Sequence, residues 1–130
     1  MICVDTSVWI AAFRHPSQPI RRHLWDLLDA DEVLLPVAAR IELLIGASTT
    51  DQIRLRADLS ALPLAAPAIV TWRRIEAWLP RAAAAGERFG FADLLIAALA
   101  ADHDAPLWSL DRDFARMARL GFLRLYECPS

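Results

Sequence analysis

The chain has 130 residues, of which 56% are hydrophobic and 23% are charged, and its formal net charge is −2 at pH 7. This length predicts a single domain over residues 1–130 with a sizeable core, and the slightly acidic balance excludes the broad basic surface of a non-specific nucleic-acid binder. Because the two cysteines have no CxxC spacing and the N-terminus has neither a basic leader nor a long apolar run, we expect a cytoplasmic protein with no zinc site, disulfide framework or membrane span.

Short apolar segments alternate with amphipathic ones in the first half of the chain. "ICVD" predicts a first strand, which "SVWIAAFR" follows as a helix and "SQPIRRHLWDLLDA" as a crossover helix. "VLLP" predicts a second strand, before a helix that runs from Val37 to about Ala47. This order of strand and helix predicts βα units.

The second half of the chain continues the alternation. Thr50 is a candidate cap for the helix "TDQIRLRADLSAL", and "LPLAA" predicts a third strand. Pro67 opens the helix "PAIVTWRRIEAWL", which Pro80 should end or kink. The remaining segments are predicted, in order, as a helix, a fourth strand, a helix and a fifth strand: "FADLLIAALAADHD", "PLWSL", "RDFARMARL" and "FLRLYE".

Strands separated by helices predict an α/β protein of three layers, α/β/α, with a central, mainly parallel sheet of four to five strands. Parallel neighbours require crossover connections, which place helices on both faces of the sheet. Ligands bind such sheets outside the carboxyl ends of the strands. Acidic residues near those ends are therefore the first candidates for a functional site.

Four acidic residues fall where they could meet. Asp5 closes the first strand and Asp111 follows the fourth, so both should project at the carboxyl edge of the sheet. Asp93 begins the most apolar helix, and Glu42 lies within "RIELLIGA". The helical neighbours of Glu42 are all apolar or small: Ala38, Ala39, Ile45 and Gly46. We therefore expect the Glu42 carboxylate at the centre of a buried helix face.

Three of these acids also have a purely structural explanation. Asp5 and Asp111 could each cap the helix that follows, which contributes about 0.5 to 2 kcal/mol. Asp93 in a first helical turn would gain from the helix dipole. Glu42 is too far into its helix for a cap, and a buried ionised carboxylate needs a cation, such as an arginine or a metal ion. Arg88 is the nearest candidate arginine before Asp93.

A single ion pair would explain one acid and leave three others converging. Carboxylates held close together repel one another, and a bound divalent cation relieves that repulsion. The absence of cysteine and histidine among the four favours a hard ion that takes oxygen ligands, so Mg²⁺ or Mn²⁺ is the predicted cofactor. Such an ion is suited to metal-assisted cleavage of a phosphodiester.

The same residues resemble a known family. "VDTSVW" with Asp5, "RIELLIGA" with Glu42, "GFADLLIAA" with Asp93 and "SLDRDF" with Asp111 are similar, in order and spacing, to the four acidic motifs of PIN-domain ribonucleases. The length of the chain and the lack of an appended domain make it similar to the VapC-type toxins of bacterial toxin–antitoxin pairs. The resemblance covers essentially the whole chain.

The resemblance implies a Mg²⁺- or Mn²⁺-dependent endoribonuclease that cuts single-stranded or loop regions of RNA. It also implies a homodimer, neutralised by a cognate antitoxin that covers or enters the acidic site. Four residues would then hold metal and position water: Asp5, Glu42, Asp93 and Asp111. Ser7 and Ser109 stand where the family has a small hydroxyl or amide residue that supports the first and fourth acids. Asp113 is a possible fifth ligand, and the helix dipole explains it equally well.

Several other residues bear on this reading. Phe91 stands two places before the third acid, where many relatives carry a polar or acidic residue, so we expect one firm metal site and not two. Asp102, His103 and Asp104 are read as a solvated helix end, not as a metal site. The arginines near the predicted rim could contact RNA phosphates: Arg14, Arg88 and Arg112.

Two other functions remain open. A magnesium-dependent phosphoryl-transfer enzyme would want DxD after the first strand, where this chain has Ser7, and a receiver domain would want a lysine, which the chain lacks. The other is a catalytically silent PIN module that binds protein, which the four retained acids disfavour. Metal-dependent RNA cleavage, as against acyl-phosphate formation, would distinguish among the three.

Overall fold

The structure is a computed structural model, and it describes residues 1–129. These residues form four strands, at Ile2–Val4 (β1), Val33–Pro36 (β2), Leu64–Ala65 (β3) and Leu107–Trp108 (β4). They also form seven helices, at Thr6–Arg14 (α1), Pro19–Asp29 (α2), Val37–Gly46 (α3), Thr49–Leu59 (α4), Ile69–Ala84 (α5), Phe91–Asp102 (α6) and Arg112–Arg119 (α7). None of these helices has the length and apolar character that crossing a membrane requires.

The four strands form one parallel sheet in the order β3, β2, β1, β4. Cys3 of β1 pairs with Leu34 of β2 on one side and with Leu107 of β4 on the other. Because every pair is parallel, the carboxyl ends of all four strands lie at the same edge. The loops that leave this edge carry the first and fourth of the predicted acids.

Alternate side chains of the strands enter two separate cores, since successive residues of a strand point to opposite faces. Cys3 and Leu107 belong to a core that α5, α6 and α7 complete. Val4 and Trp108 belong to a second core, with side chains from α1, α2, α3 and α4. Helices therefore cover both faces of the sheet, and the predicted α/β/α layering is confirmed.

The predicted fifth strand, "FLRLYE", is not a strand in the structure. It makes an isolated parallel bridge between Leu107 and Leu125. The Leu107 N–H donates to the carbonyl of Arg124 at 2.9 Å, and the Tyr126 N–H donates to the carbonyl of Leu107 at 2.7 Å. Because β4 is only two residues long, this segment has no partner with which to form a longer ladder.

Two helix boundaries also differ from the sequence prediction. Ser48, not Thr50, caps α4, because the Ser48 Oγ accepts the N–H of Asp51 at 3.1 Å while Thr50 already lies inside the helix. Pro80 does not end α5, which continues to Ala84. Buried residues of α5 on both sides of Pro80, Trp78 and Ala82, hold the two halves of the helix on the core.

α6 is the most deeply buried helix, with every residue from Leu94 to Ala100 buried. A helix that is apolar on all sides is expected in the interior. Its last residue, Asp102, was predicted to be solvated, but it accepts hydrogen bonds from Thr71 at 2.6 Å and from Arg74 at 2.7 Å. These contacts join the end of α6 to the start of α5. The prediction of a solvated end considered α6 alone and not its contact with α5.

Candidate active site

Asp5 follows β1 at the carboxyl edge of the sheet, as predicted. Its backbone N–H donates to the carbonyl of Trp108 at 2.9 Å, which extends the pairing of β1 with β4. Its side chain caps α1 by accepting the N–H of Ser7 at 3.4 Å, and the residue is only 5% exposed. The cap and the convergence at the sheet edge, posed as alternatives from the sequence, are both properties of this one carboxylate.

The hydroxyls of Ser7 and Ser109 both donate to the Oδ2 of Asp5, at 2.6 and 2.7 Å. Each hydroxyl also accepts a backbone N–H at 3.0 Å, Ser7 from Leu110 and Ser109 from Asp111. Since each serine has one proton and gives it to Asp5, the two Oγ atoms, 3.3 Å apart, are in contact without a further hydrogen bond. The two serines thus tie the end of β1 to the loop that carries Asp111.

Asp93, Asp111 and Asp113 form the densest group of acids in the described residues, and we call them the acid cluster. One carboxylate oxygen from each lies within 4.8 Å of the others. Asp111 caps α7, its Oδ1 accepting the N–H of Asp113 at 2.9 Å. Asp93 lies in the first turn of α6. The beginnings of two helices therefore bring three carboxylates to one place.

The pKa of Asp93 is raised by burial and by the other acids of the site. Burial is the main cause that raises this pKa from 3.8 to about 6. Negative charges add to the shift, in decreasing order from Asp111, Asp5, Asp113 and Glu42. The other four acids of the sequence prediction therefore all lie close enough to act on Asp93, although Asp5 and Glu42 lie outside the acid cluster itself.

Glu42 is exposed, so the prediction that it occupies a buried helix face is wrong. α3 buries its other side, through Ala39 and Leu43, while the apolar residues beside Glu42 face solvent, Ile41 at 49% and Ile45 at 75% exposure. The carboxylate is nevertheless held in place, because the Thr6 hydroxyl donates to its Oε1 at 2.9 Å. Asp5 is the deeply buried acid of the group.

Sequence reasoning missed two residues that contact the predicted acids. Thr6 follows Asp5 in "VDTSVW", and its hydroxyl reaches Glu42 across 36 positions of sequence. Arg116 forms an ion pair with Asp113 one helical turn earlier, and its Nε lies 3.1 Å from the Oε2 of Glu87. The i,i+3 spacing of Asp113 and Arg116 was the available signal. In residues 1–129, Arg88 forms no ion pair with these acids.

The donors present fit a hard divalent cation. They are carboxylate oxygens only, with no cysteine or histidine among them, and three of them are already close enough to share one ion. The neighbouring acids add to burial in raising the pKa of Asp93, so a bound cation would relieve an unfavourable concentration of negative charge there. Such a group can hold Mg²⁺ or Mn²⁺ and leave positions for phosphate oxygens.

Comparison with known proteins agrees with this geometry. The family model of the PIN domain matches residues 2–120. Ribonuclease VapC5 of Mycobacterium tuberculosis is 34% identical over 124 residues, covering 88% of this chain and 85% of the relative.

Two solved VapBC structures share this fold. A chain of VapBC2 from Rickettsia felis, solved with a promoter DNA fragment, matches with a TM-score of 0.79 at 20% identity, over 99% of this chain and 100% of that one. A chain of VapBC-1 from nontypeable Haemophilus influenzae gives a TM-score of 0.78 at 17% identity, over 98% of each chain. At these identities the structures support the fold alone. Since the family model spans almost the full sequence and a ribonuclease VapC is similar along most of its own length, the chain belongs to the PIN-domain family and, within it, to the VapC-type proteins.

Proposed function

We propose that this chain, as one domain over residues 1–130, is a metal-dependent endoribonuclease toxin. It hydrolyses phosphodiester bonds in RNA in the cytoplasm and is neutralised by a cognate antitoxin. The observation that carries the proposal is the acid cluster, in which one carboxylate oxygen from each of three aspartates lies within 4.8 Å of the others, with Asp5 and Glu42 near enough to raise the pKa of Asp93. The similarity to a ribonuclease VapC supports the reaction class.

The acid cluster would hold the metal, with Asp5 and Glu42 completing the negative surface around it. When bound, a divalent ion supplies a Lewis acid that offsets charge on the phosphodiester and lowers the pKa of a water molecule. Phe91, which is 68% exposed and stacks on Trp72 with ring centroids 6.0 Å apart, offers no ligand atom. We therefore propose one metal ion.

The protein's own residues would prepare the site before RNA arrives. Ser7 and Ser109 fix the orientation of the Asp5 carboxylate, and Thr6 directs that of Glu42. Because these hydrogen bonds are formed without substrate, little reorganisation is needed on binding. The site is thus preorganised by hydroxyl groups that contact the carboxylates and not the RNA.

Two arginines lie where RNA phosphates could approach. Arg14 lines a cleft of about 220 Å³ together with Glu42. Arg88 lines a cavity of about 370 Å³ with Glu87 and Leu94. Leu94 directly follows Asp93 in the sequence. In a chain of net negative charge, these local cations would guide a polyanion to the acids.

The first test is incubation of purified protein with total bacterial RNA in Mg²⁺, Mn²⁺ or EDTA, followed by mapping of the cut ends. We expect discrete, metal-dependent cuts that disappear in Glu42→Gln and in Asp93→Asn, because an amide keeps the shape of the side chain but loses affinity for a cation. The matched controls are exposed helical acids, Glu76→Gln and Asp26→Asn, which should cut like the wild type. Undiminished cutting by both site variants would refute the proposed site.

The antitoxin and the homodimer are further parts of the proposal. Solved structures with the same fold include a toxin–antitoxin complex from Klebsiella pneumoniae and VapBC-5 of Mycobacterium tuberculosis, a member of a family of toxin–antitoxin systems. Light scattering of the purified chain should give the mass of a dimer, and addition of the cognate antitoxin should suppress cutting. A monomer that cuts at full rate would remove the homodimer from the proposal and leave the reaction standing.

A further inference from the structure

A chain of ion pairs leads away from the acid cluster. Arg116 pairs with the Oδ1 of Asp113, a member of the cluster, and its Nε lies 3.1 Å from the Oε2 of Glu87. The latter contact is an ion pair only, since the Nε lacks the geometry of a hydrogen bond to any acceptor in the described residues. Arg116 thus touches the cluster at one end and the loop between α5 and α6 at the other.

Both anchors of Arg116 have defined positions. Asp113 lies three residues before Arg116 on α7, so the two side chains are neighbours on one helix face. Glu87 lies in a loop whose path is fixed by Gly86 at φ 72°, a conformation that favours glycine. The Glu87 N–H also donates to the carbonyl of Ala82 at 2.9 Å. A planar guanidinium with several donors can contact two carboxylates at once, which an ammonium group does less well.

This triad is less exposed than an ordinary surface ion pair. The side chains of Arg116, Glu87 and Asp113 are 38%, 28% and 33% exposed. By contrast, those of Arg124 and Asp104, which also form an ion pair, are 64% and 95% exposed. Partly buried charges are screened less by salt and orient one another more strongly.

Without Arg116, electrostatic repulsion would favour movement of the Asp113 carboxylate away from the acid cluster. It would face the negative charges of Asp93 and Asp111 and could turn towards solvent, since it lies in an accessible first turn. Arg116 compensates its charge while keeping it beside the other two acids. The ion pair with Glu87 in turn keeps the Arg116 side chain from extending into solvent, so that the pair of Arg116 and Asp113 stays beside the cluster.

We propose that Arg116, anchored by Glu87, is a positioning residue that holds Asp113 in place to receive a divalent cation. The proposal rests on the metal-dependent function proposed above. Neither Arg116 nor Glu87 needs to touch the metal or the RNA. Their effect is to keep the third carboxylate of the cluster from turning away.

Mn²⁺ affinity, measured by calorimetry, tests this role because charge and positioning predict opposite effects of removing Arg116. Arg116→Met removes a positive charge near the metal, and Glu87→Gln removes a negative one. If only charge mattered, the first variant would bind Mn²⁺ more tightly and the second more weakly. If positioning matters, both should bind more weakly, by about tenfold, as is typical when a residue that orients a metal ligand is lost.

Further variants complete the design. The double variant should bind no more weakly than Arg116→Met, because Glu87 acts through Arg116. Arg119→Met removes the same charge from an exposed position on the same helix and should match the wild type. Arg116→Lys keeps the charge but not the planar guanidinium, and its Mn²⁺ affinity should lie between those of the wild type and Arg116→Met. This variant keeps the test valid if the Met variant folds poorly. Excess Mn²⁺ should restore RNA cleavage by Glu87→Gln, which a loss of folded protein would not allow.

Opposite signs for the two single variants, or affinities equal to that of the wild type, would overturn the positioning role while the proposed nuclease stands. A wild-type chain that neither binds Mn²⁺ nor cuts RNA would overturn both proposals. Circular dichroism of every variant establishes that the compared proteins are folded.

Discussion

At the scale of single residues, the Glu42 side chain accepts one hydrogen bond within residues 1–129, from the hydroxyl of Thr6, which is itself only 7% exposed. Asp5 accepts two serine hydroxyls, so its orientation does not depend on any single donor. Glu42 is exposed and has many alternative rotamers available. Its place in the site therefore depends on Thr6 more than that of Asp5 depends on either serine.

Thr6→Val tests that dependence. Valine has nearly the shape of threonine but cannot donate, so we expect the rate of metal-dependent RNA cleavage to fall about tenfold, as for other residues that orient a ligand. Thr6→Ser keeps the hydroxyl and should retain most of the rate. Cleavage rates of the three proteins at one Mg²⁺ concentration provide the measurement. A valine variant as active as the wild type would mean that Glu42 needs no such support.

How far single residues could be predicted depended on what fixed them. Asp5 and Asp111 were predictable because the carboxyl ends of parallel strands meet at one edge. The burial of Glu42 was mispredicted because an apolar helix face does not have to be a buried one, and Ile41 and Ile45 are exposed. The contact of Arg116 with Glu87 joins a loop to a distant helix, and no local pattern in the sequence indicates it.

At the scale of elements, the start of α5 and the end of α6 are fastened by buried polar contacts. Thr71, 1% exposed, donates to the Oδ2 of Asp102 at 2.6 Å and accepts the N–H of Ala68 at 3.0 Å. Strand and helix order was predictable from the apolar periodicity, because it is a local property. This fastening and the short length of β4 were not, since both depend on which distant segments meet.

Thr71→Val should destabilise the fold by about 1 to 3 kcal/mol, because it leaves the Ala68 N–H and an oxygen of Asp102 without their partner. Thr50→Val, at an exposed helical position, is the matched control and should change stability little. Urea unfolding followed by circular dichroism measures both. RNA cleavage well below the unfolding transition should be unchanged, since Asp102 lies at the opposite end of α6 from Asp93. A stability equal to that of the control would show that the hydrogen bonds of Thr71 contribute nothing net.

At the scale of the whole molecule, the acidic site lowers the free energy of unfolding at neutral pH when no cation is bound. The pKa of Asp93 is raised in the folded state to about 6, above its ordinary value of 3.8. The folded chain therefore binds this proton more tightly than the unfolded chain does. The resulting stabilisation is complete below pH 3.8 and is lost as the pH rises through 6.

In EDTA, the wild type should therefore lose stability between pH 5 and pH 7.5 relative to Asp93→Asn. After allowance for solvent screening at this half-buried group, the difference should be about 1 kcal/mol. Thermal melts of both proteins at the two pH values measure it, with Asp26→Asn as a control that should follow the wild type. Parallel pH dependence in wild type and Asp93→Asn would show that burial and the neighbouring acids do not raise the pKa of Asp93 in the folded chain.

The double duty of Asp5 and Asp111, each a helix cap and a member of the acidic site, has a consequence for how activity can be lost. Removing either carboxylate weakens the scaffold along with the chemistry, whereas Glu42 caps no helix. A Glu42→Gln variant should therefore be inactive but keep the folded stability of the wild type. Under the proposed function, it should still bind the cognate antitoxin but no longer cut RNA.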